Sequence, residues 1–183
     1  MTEGRHFKNI ALVGFMGTGK STVGQLVAGM LGFRFVDTDE MIEGIAGRKI
    51  ADIFTAEGEA RFREYERQVV TKLEGYSNSV ISTGGGLVTN AENLASLKTH
   101  ALVVCLWCSP ETIYKRVGHQ THRPLLRVEN PLERIRALLQ ERTPAYRKAD
   151  VLLNSEFRKA REVATHVVHQ FRSVASPKGK GES

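Results

Sequence analysis

Eight residues near the N-terminus, Gly14-Phe15-Met16-Gly17-Thr18-Gly19-Lys20-Ser21, read G-x-x-x-x-G-K-S, the spacing of a loop that cradles phosphate groups between a strand and a helix. Glycine at 14, 17 and 19 lets successive backbone amides turn inward around phosphate oxygens. Lys20 adds a mobile positive charge for the outer phosphates, and the Ser21 hydroxyl can complete a Mg²⁺ shell. Gly17, Thr18, Gly19, Lys20, Ser21 and Thr22 are therefore the candidate ATP-phosphate contacts.

Four further groups carry chemistry. Asp37 and Asp39 flank Thr38 at the carboxyl end of an expected strand, the edge where parallel sheets gather ligands. One can face the water shell of a metal and the other an acceptor, or either can cap the next helix. Arg63 can meet Glu59 at i−4 and Glu66 at i+3; it is either a solvated ion pair or a planar fork aimed at a substrate carboxylate. Gly84-Gly85-Gly86 is either a flexible turn or a backbone lying close against a small substrate. Arg142 continues the stripe of Ile135, Leu138 and Leu139, so it points inward and needs an anion, supplied by a structural ion pair or by substrate.

The elements that must hold these groups are legible in outline. Asn9-Ile10-Ala11-Leu12-Val13 reads as a strand buried on both faces, and Val23, Leu26, Val27, Met30 and Leu31 as a helical stripe ended by Gly32. Strands are also expected at 33–36, 79–82, 101–107 and 150–154. Helices are expected at 40–46, 57–73, 91–98 with Asn90 as cap, from Ser109-Pro110-Glu111, from Asn130-Pro131, and at 158–171, with a short turn at 50–54. Arg116 falls near the end of one helix, and Thr143-Pro144 is expected to break another near Arg142. Residues 118–130 lack a period and are long for a connector, which predicts a lid with Arg123 at its centre.

With 183 residues, 41% of them hydrophobic and 25% charged, the chain fits one α/β domain over 1–183. A net charge of +6 suits polyanionic ligands such as nucleotides; the basic, aperiodic end at about 174–183 is expected to be a disordered tail. The apolar run 101–108 is too short to span a bilayer, and the apolar N-terminal segment runs into the phosphate loop without a cleavage site, so no signal peptide is expected. Cys105 and Cys108, three apart along a strand, are expected on opposite faces, reduced and structural. His119/His122 and His166/His169 lack a third ligand nearby and are read as solvent-facing or lid histidines.

Taken together and in order, the phosphate loop, Asp37-Thr38-Asp39, Phe62-Arg63 with Glu66, Gly84-Gly85-Gly86, Arg123-Pro124-Leu125 and Arg142-x-Pro144-x-Tyr146 resemble the pattern of shikimate kinases across residues 8–172. The resemblance implies a three-layer P-loop kinase fold with a five-stranded parallel sheet in the order 2-3-1-4-5. It implies Mg²⁺-dependent transfer of the ATP γ-phosphate to the 3-hydroxyl of shikimate, giving shikimate 3-phosphate and ADP in aromatic amino-acid biosynthesis. Under it, Lys20, Asp39 and Arg123 are catalytic, with Asp39 on the shikimate hydroxyls. Arg63 and Arg142 grip the carboxylate, Gly84, Gly85 and Gly86 contact the ring, Arg116 and Arg123 contact ATP, and Ser21 and Asp37 hold the metal. One departure stands out: the stretch Asn154-Ser155-Glu156-Phe157-Arg158 lacks the proline that the family pattern carries after its fifth strand. A cytoplasmic monomer is expected, with shikimate and ATP as partners and neither nucleic acid nor membrane. The guanine-switch motifs N-K-x-D and D-x-x-G do not occur, and aromatic stacking platforms for nucleic acid are lacking.

Overall fold

The computed structural model describes residues 6–117 and 128–175. Among them, β1 (Asn9–Val13), β2 (Arg34–Asp37), β3 (Ser79–Ser82), β4 (Ala101–Trp107) and β5 (Val151–Asn154) form a parallel sheet in the order β2-β3-β1-β4-β5. Parallel neighbours need crossovers. These are supplied by α1 (Lys20–Leu31), α2 (Thr38–Ala46), α3 (Ile50–Ala56), α4 (Gly58–Leu73), α5 (Ala91–His100), α6 (Pro110–Val117) and α7 (Pro131–Tyr146), with α8 (Ala160–Ala175) closing the chain. The expected order and P-loop kinase architecture are therefore present.

Alternation along the strands divides the core. Ile10 and Leu12 of β1 and Leu102, Val104 and Leu106 of β4 face α1 and α8, meeting Val23, Val27, Val163 and Val167. Ala11, Val13, Ile81 and Val103 face the other way, onto Ile42 of α2, Ile53 of α3, Val69 of α4, Ile113 of α6 and Ile135 of α7. Both faces of the central strands are dry, which is why their sequences read as continuous apolar runs.

Several boundaries differ from the sequence expectation. α2 starts at Thr38 rather than at residue 40, because Asp37 is its cap and accepts from the Asp39 amide at 2.9 Å. α7 is not broken at Thr143-Pro144 but runs through to Tyr146. Proline removes only its own N–H from the ladder; the Thr143 hydroxyl donates to Leu139 O at 2.6 Å, the Arg147 amide donates to Thr143 O at 3.0 Å, and buried Tyr146 anchors the last turn. α8 continues to Ala175, with Val174 and Ala175 packed on the core, so a tail cannot begin at 174; residues 176–183 lie outside the described residues, as do 118–127 with Arg123, His119 and His122.

Cys105 and Cys108 are free and buried, but in the same core cluster rather than on opposite faces. Cys108 follows the end of β4, where strand alternation no longer governs direction. Burial pushes the Cys105 thiol up to about 12, and raises that of Cys108, which suits packing rather than reactivity. His166 and His169 are exposed on α8, and no cluster of three metal-ligating side chains occurs among the described residues. No helix among them is long and apolar enough to cross a membrane.

The amino end of the sheet is tied by one buried amide. Asn9 donates to Tyr76 O at 2.7 Å, accepts from the Ser79 amide at 3.0 Å, and lies 3.0 Å from His100 Nδ1. With Asn9 Nδ2 as donor, Nδ1 accepts and Nε2 carries the proton of the neutral ring; Nε2 has no partner among the described residues. Burial lowers the His100 pKa from 6.5, with Glu74 opposing and Lys8 reinforcing the shift. Neutral His100 is favoured in the folded chain, whereas the unfolded chain takes up its proton near pH 6.5. Stability is thus full above pH 6.5 and is lost as pH falls below it. The thermal midpoint should drop between pH 7 and pH 5.5, and His100→Gln should flatten that slope; an unchanged slope in the variant would remove His100 as its source.

Candidate active site

The loop after β1 is shaped by what crosses it. Gly14 sits at φ +131°, and a Cβ there would stand 2.2 Å from Leu106 O, so no other residue fits. Lys20 is buried and donates to Gly14 O and Phe15 O, both at 2.8 Å, folding its ammonium back over the loop. Thr18 Oγ1 donates to Phe15 O at 2.8 Å. α1 begins immediately afterwards with no acidic residue in its first turn, which leaves the positive end of its dipole for an anion. A cavity of about 300 Å³ lies over this loop, lined by Gly17, Gly19, Lys20, Ser21, Thr22 and Asp37 among others.

Sheet register brings the metal-binding candidates together. Asp37 of β2 pairs with Ser82 of β3, and Ser21 Oγ lies 3.3 Å from both Asp37 Oδ2 and Ser82 Oγ. Of the two roles the sequence left open for Asp37, the cap is present: one oxygen caps α2, and the other meets Ser21. One hydroxyl and one carboxylate suit a hard cation that keeps water and phosphate oxygens as its remaining ligands, as Mg²⁺ does. Ser82 escapes sequence reasoning because only strand pairing places it there.

Beside this cavity lies a second of about 540 Å³, lined by Asp39, Arg63, Glu66, the glycines 84–86 and Arg142, with Met16, Phe54 and Phe62 as apolar wall. Arg63 donates to Glu66 at 2.7 Å and to Glu59 at 2.9 Å. It is therefore ion-paired and cavity-lining at once. Burial opposes the Arg63 charge, but its two carboxylate partners more than offset that and raise its pKa. Glu66 is 2% exposed; burial pushes its carboxyl up, against the pull of Arg63. Arg142 is 7% exposed, its guanidinium 5.5 Å from the Phe15 ring centroid. Among the described residues it has no ion pair.

Proximity rather than backbone angle sets the three glycines against charged groups, tightly at 84 and 86 and at ordinary contact distance at 85. A Cβ on Gly84 would lie 2.7 Å from Asp39 Oδ1, one on Gly85 3.4 Å from Arg142 Nη1, and one on Gly86 2.7 Å from Arg63 Nη1. At 84 and 86 the absent side chain leaves room for Asp39 and Arg63, and Gly85 packs against Arg142.

Arg116 lies on the far side of the phosphate loop, donating to Gly17 O and Ser155 O, each at 3.0 Å. The stretch without proline is fastened by other means. Ser155 Oγ donates to Thr18 O at 2.9 Å, and the Glu156 carboxylate accepts from the Ser109 and Thr112 hydroxyls at the start of α6. The structure thus brings together every candidate except Arg123, which lies outside the described residues.

Comparison with known proteins agrees with this geometry. The family model described as shikimate kinase matches residues 16–172. A shikimate kinase of Thermodesulfovibrio yellowstonii is 46% identical over 171 residues, covering 93% of this chain and 99% of its own. Among solved structures, shikimate kinase from Acinetobacter baumannii in complex with shikimate superposes with a TM-score of 0.87 at 40% identity, over 91% of this chain and 94% of that one. Shikimate kinase from Aquifex aeolicus does so at 0.79 and 36%, over 92% and 99%. A chain so matched along nearly its whole length, with the phosphate loop and the charged cavity in place, belongs to the shikimate kinase family of ATP-dependent kinases.

Proposed function

We propose that this chain phosphorylates the 3-hydroxyl of shikimate with ATP through the residues described above. The observation that carries the reading is that the two cavities share Met16, Asp39, Gly84 and Gly85. A triphosphate over the loop and a small acid against Arg63 and Arg142 would meet at Asp39.

Phosphoryl transfer needs alignment and charge neutralisation more than covalent help. The loop amides and Lys20 hold the donor; moving from the Gly14 and Phe15 carbonyls to a phosphate oxygen needs only a swing of the lysine tip. Ser21 and Asp37 are the residues that would hold Mg²⁺, which supplies neutralisation of charge on the phosphates. Arg63 and Arg142 approach the acceptor carboxylate from two helices and fix the ring. Asp39 accepts the hydrogen bond of the alcohol, orients it at the γ-phosphorus and takes its proton as the new oxygen–phosphorus bond forms and the bond to the bridging oxygen breaks, that oxygen leaving with ADP. Arg123 is assigned to the phosphates and Arg116 to the nucleoside side. The same reading holds the chain to be one domain with 118–130 as lid, working as a monomer in the cytoplasm on small molecules, without nucleic acid or membrane.

Turnover by the purified chain with Mg-ATP should be brisk with shikimate and weak with gluconate or a nucleoside monophosphate; a preference for either of the latter would overturn the acceptor assignment. Arg63→Ala should raise the KM for shikimate about 10- to 100-fold, the range of a lost charged hydrogen bond, with the KM for ATP unchanged. Asp39→Asn should keep shikimate binding but lower kcat by about two orders of magnitude; near-normal turnover would remove Asp39 from the chemistry.

A further inference from the structure

The wall shared by both cavities is backbone, and two side chains that line neither cavity hold it. The Gly84 amide donates to Thr38 Oγ1 at 2.9 Å, and Gly85 O accepts from the Tyr146 hydroxyl at 2.6 Å. Thr38 is fully buried and Tyr146 is 6% exposed. Thr38 directly precedes Asp39 in α2, and Tyr146 follows Arg142 by four residues, one turn along the same face of α7. Each hydrogen bond therefore joins the glycine turn to a helix that presents a charged group to the acceptor cavity. The amides of Gly85 and Gly86 have no hydrogen-bond partner among the described residues, so fixing this turn also fixes two donors beside the cavity.

We propose that Thr38 and Tyr146 are positioning residues for the acceptor, setting the glycine turn, Asp39 and Arg142 in one frame without touching substrate. The inference rests on the shikimate kinase reading above. A buried phenol that loses its partner is costly, which makes the Tyr146 contact a firm strut. Burial pushes its pKa up to about 12 against the nearby Arg142 charge, so it remains an O–H donor across the working pH range. Thr38 completes the frame from the other side, its hydroxyl oxygen accepting where a valine of the same shape could not.

The test is steady-state kinetics of the full chain with shikimate and ATP for Tyr146→Phe and Thr38→Val, both of which keep the packing volume. Val168→Ala serves as a control: Val168 is buried on α8, across the sheet from the acceptor cavity. Each clamp variant should raise the KM for shikimate about three- to tenfold, the scale of one neutral hydrogen bond, with the KM for ATP within about twofold. Val168→Ala should lower the thermal midpoint and leave both KM values unchanged. A shikimate KM within twofold of the parent in either variant, or an equal rise in both KM values, would overturn the inference while the acceptor reading stood. Failure of the parent chain to phosphorylate shikimate would overturn both.

Discussion

Close approach between backbone and charged side chains at the end of β3 is the constraint on which the site depends. Asp39, Arg63 and Arg142 come from three different helices; Asp39 and Arg63 occupy space that a side chain at 84 or 86 would take, and Arg142 packs against Gly85. The glycine turn in turn can sit there only because β3 lies between β2 and β1. That order puts Asp37 beside Ser82 and the phosphate loop beside the glycines. Sheet order, glycine content and charge placement are one arrangement seen at three scales.

The electrostatics follow from burial. Glu66 is almost wholly enclosed, and Arg142 nearly so. Among the described residues Arg142 has no ion pair and faces the Phe15 ring, and a cation so enclosed is costly unless an anion meets it. Arg63 is the better satisfied of the two, because Glu59 and Glu66 hold its fork in place. The two arginines thus differ: Arg63 is held by carboxylates of its own helix, and Arg142 is enclosed with no ion pair among the described residues.

How much of this was readable beforehand depended on the range of the interaction. The phosphate loop, the buried strands and the caps at Asn90 and Asn130 are local, set by residues within a turn or two, and the sequence displays them. Arg63 was placed by its spacing to Glu59 and Glu66, yet spacing could not tell an ion pair from a cavity-facing fork, and in the structure it is ion-paired while it lines the cavity. Ser82 was not legible as part of the site, and Thr38 and Tyr146, though named within the family pattern, gave no sign of the contacts they make. Their partners lie 46 to 61 residues away, and only strand pairing and helix packing bring them there. Pro144 misled for a related reason: its local preference to end a helix was overridden by the tertiary anchoring of Tyr146.

The sheet also sorts the molecule into a working side and a supporting side. Among the described residues, none that lines the larger cavity comes from α1 or α8; the core of valines, leucines and phenylalanines beneath those two helices is separated from it by the thickness of the strands. Proteins commonly trade rigidity against turnover where one set of residues must serve both. In this fold the two demands fall on different surfaces, so a heat-resistant version can be sought by refilling the α1–α8 layer while the layer that carries the charged cavity is left as it is.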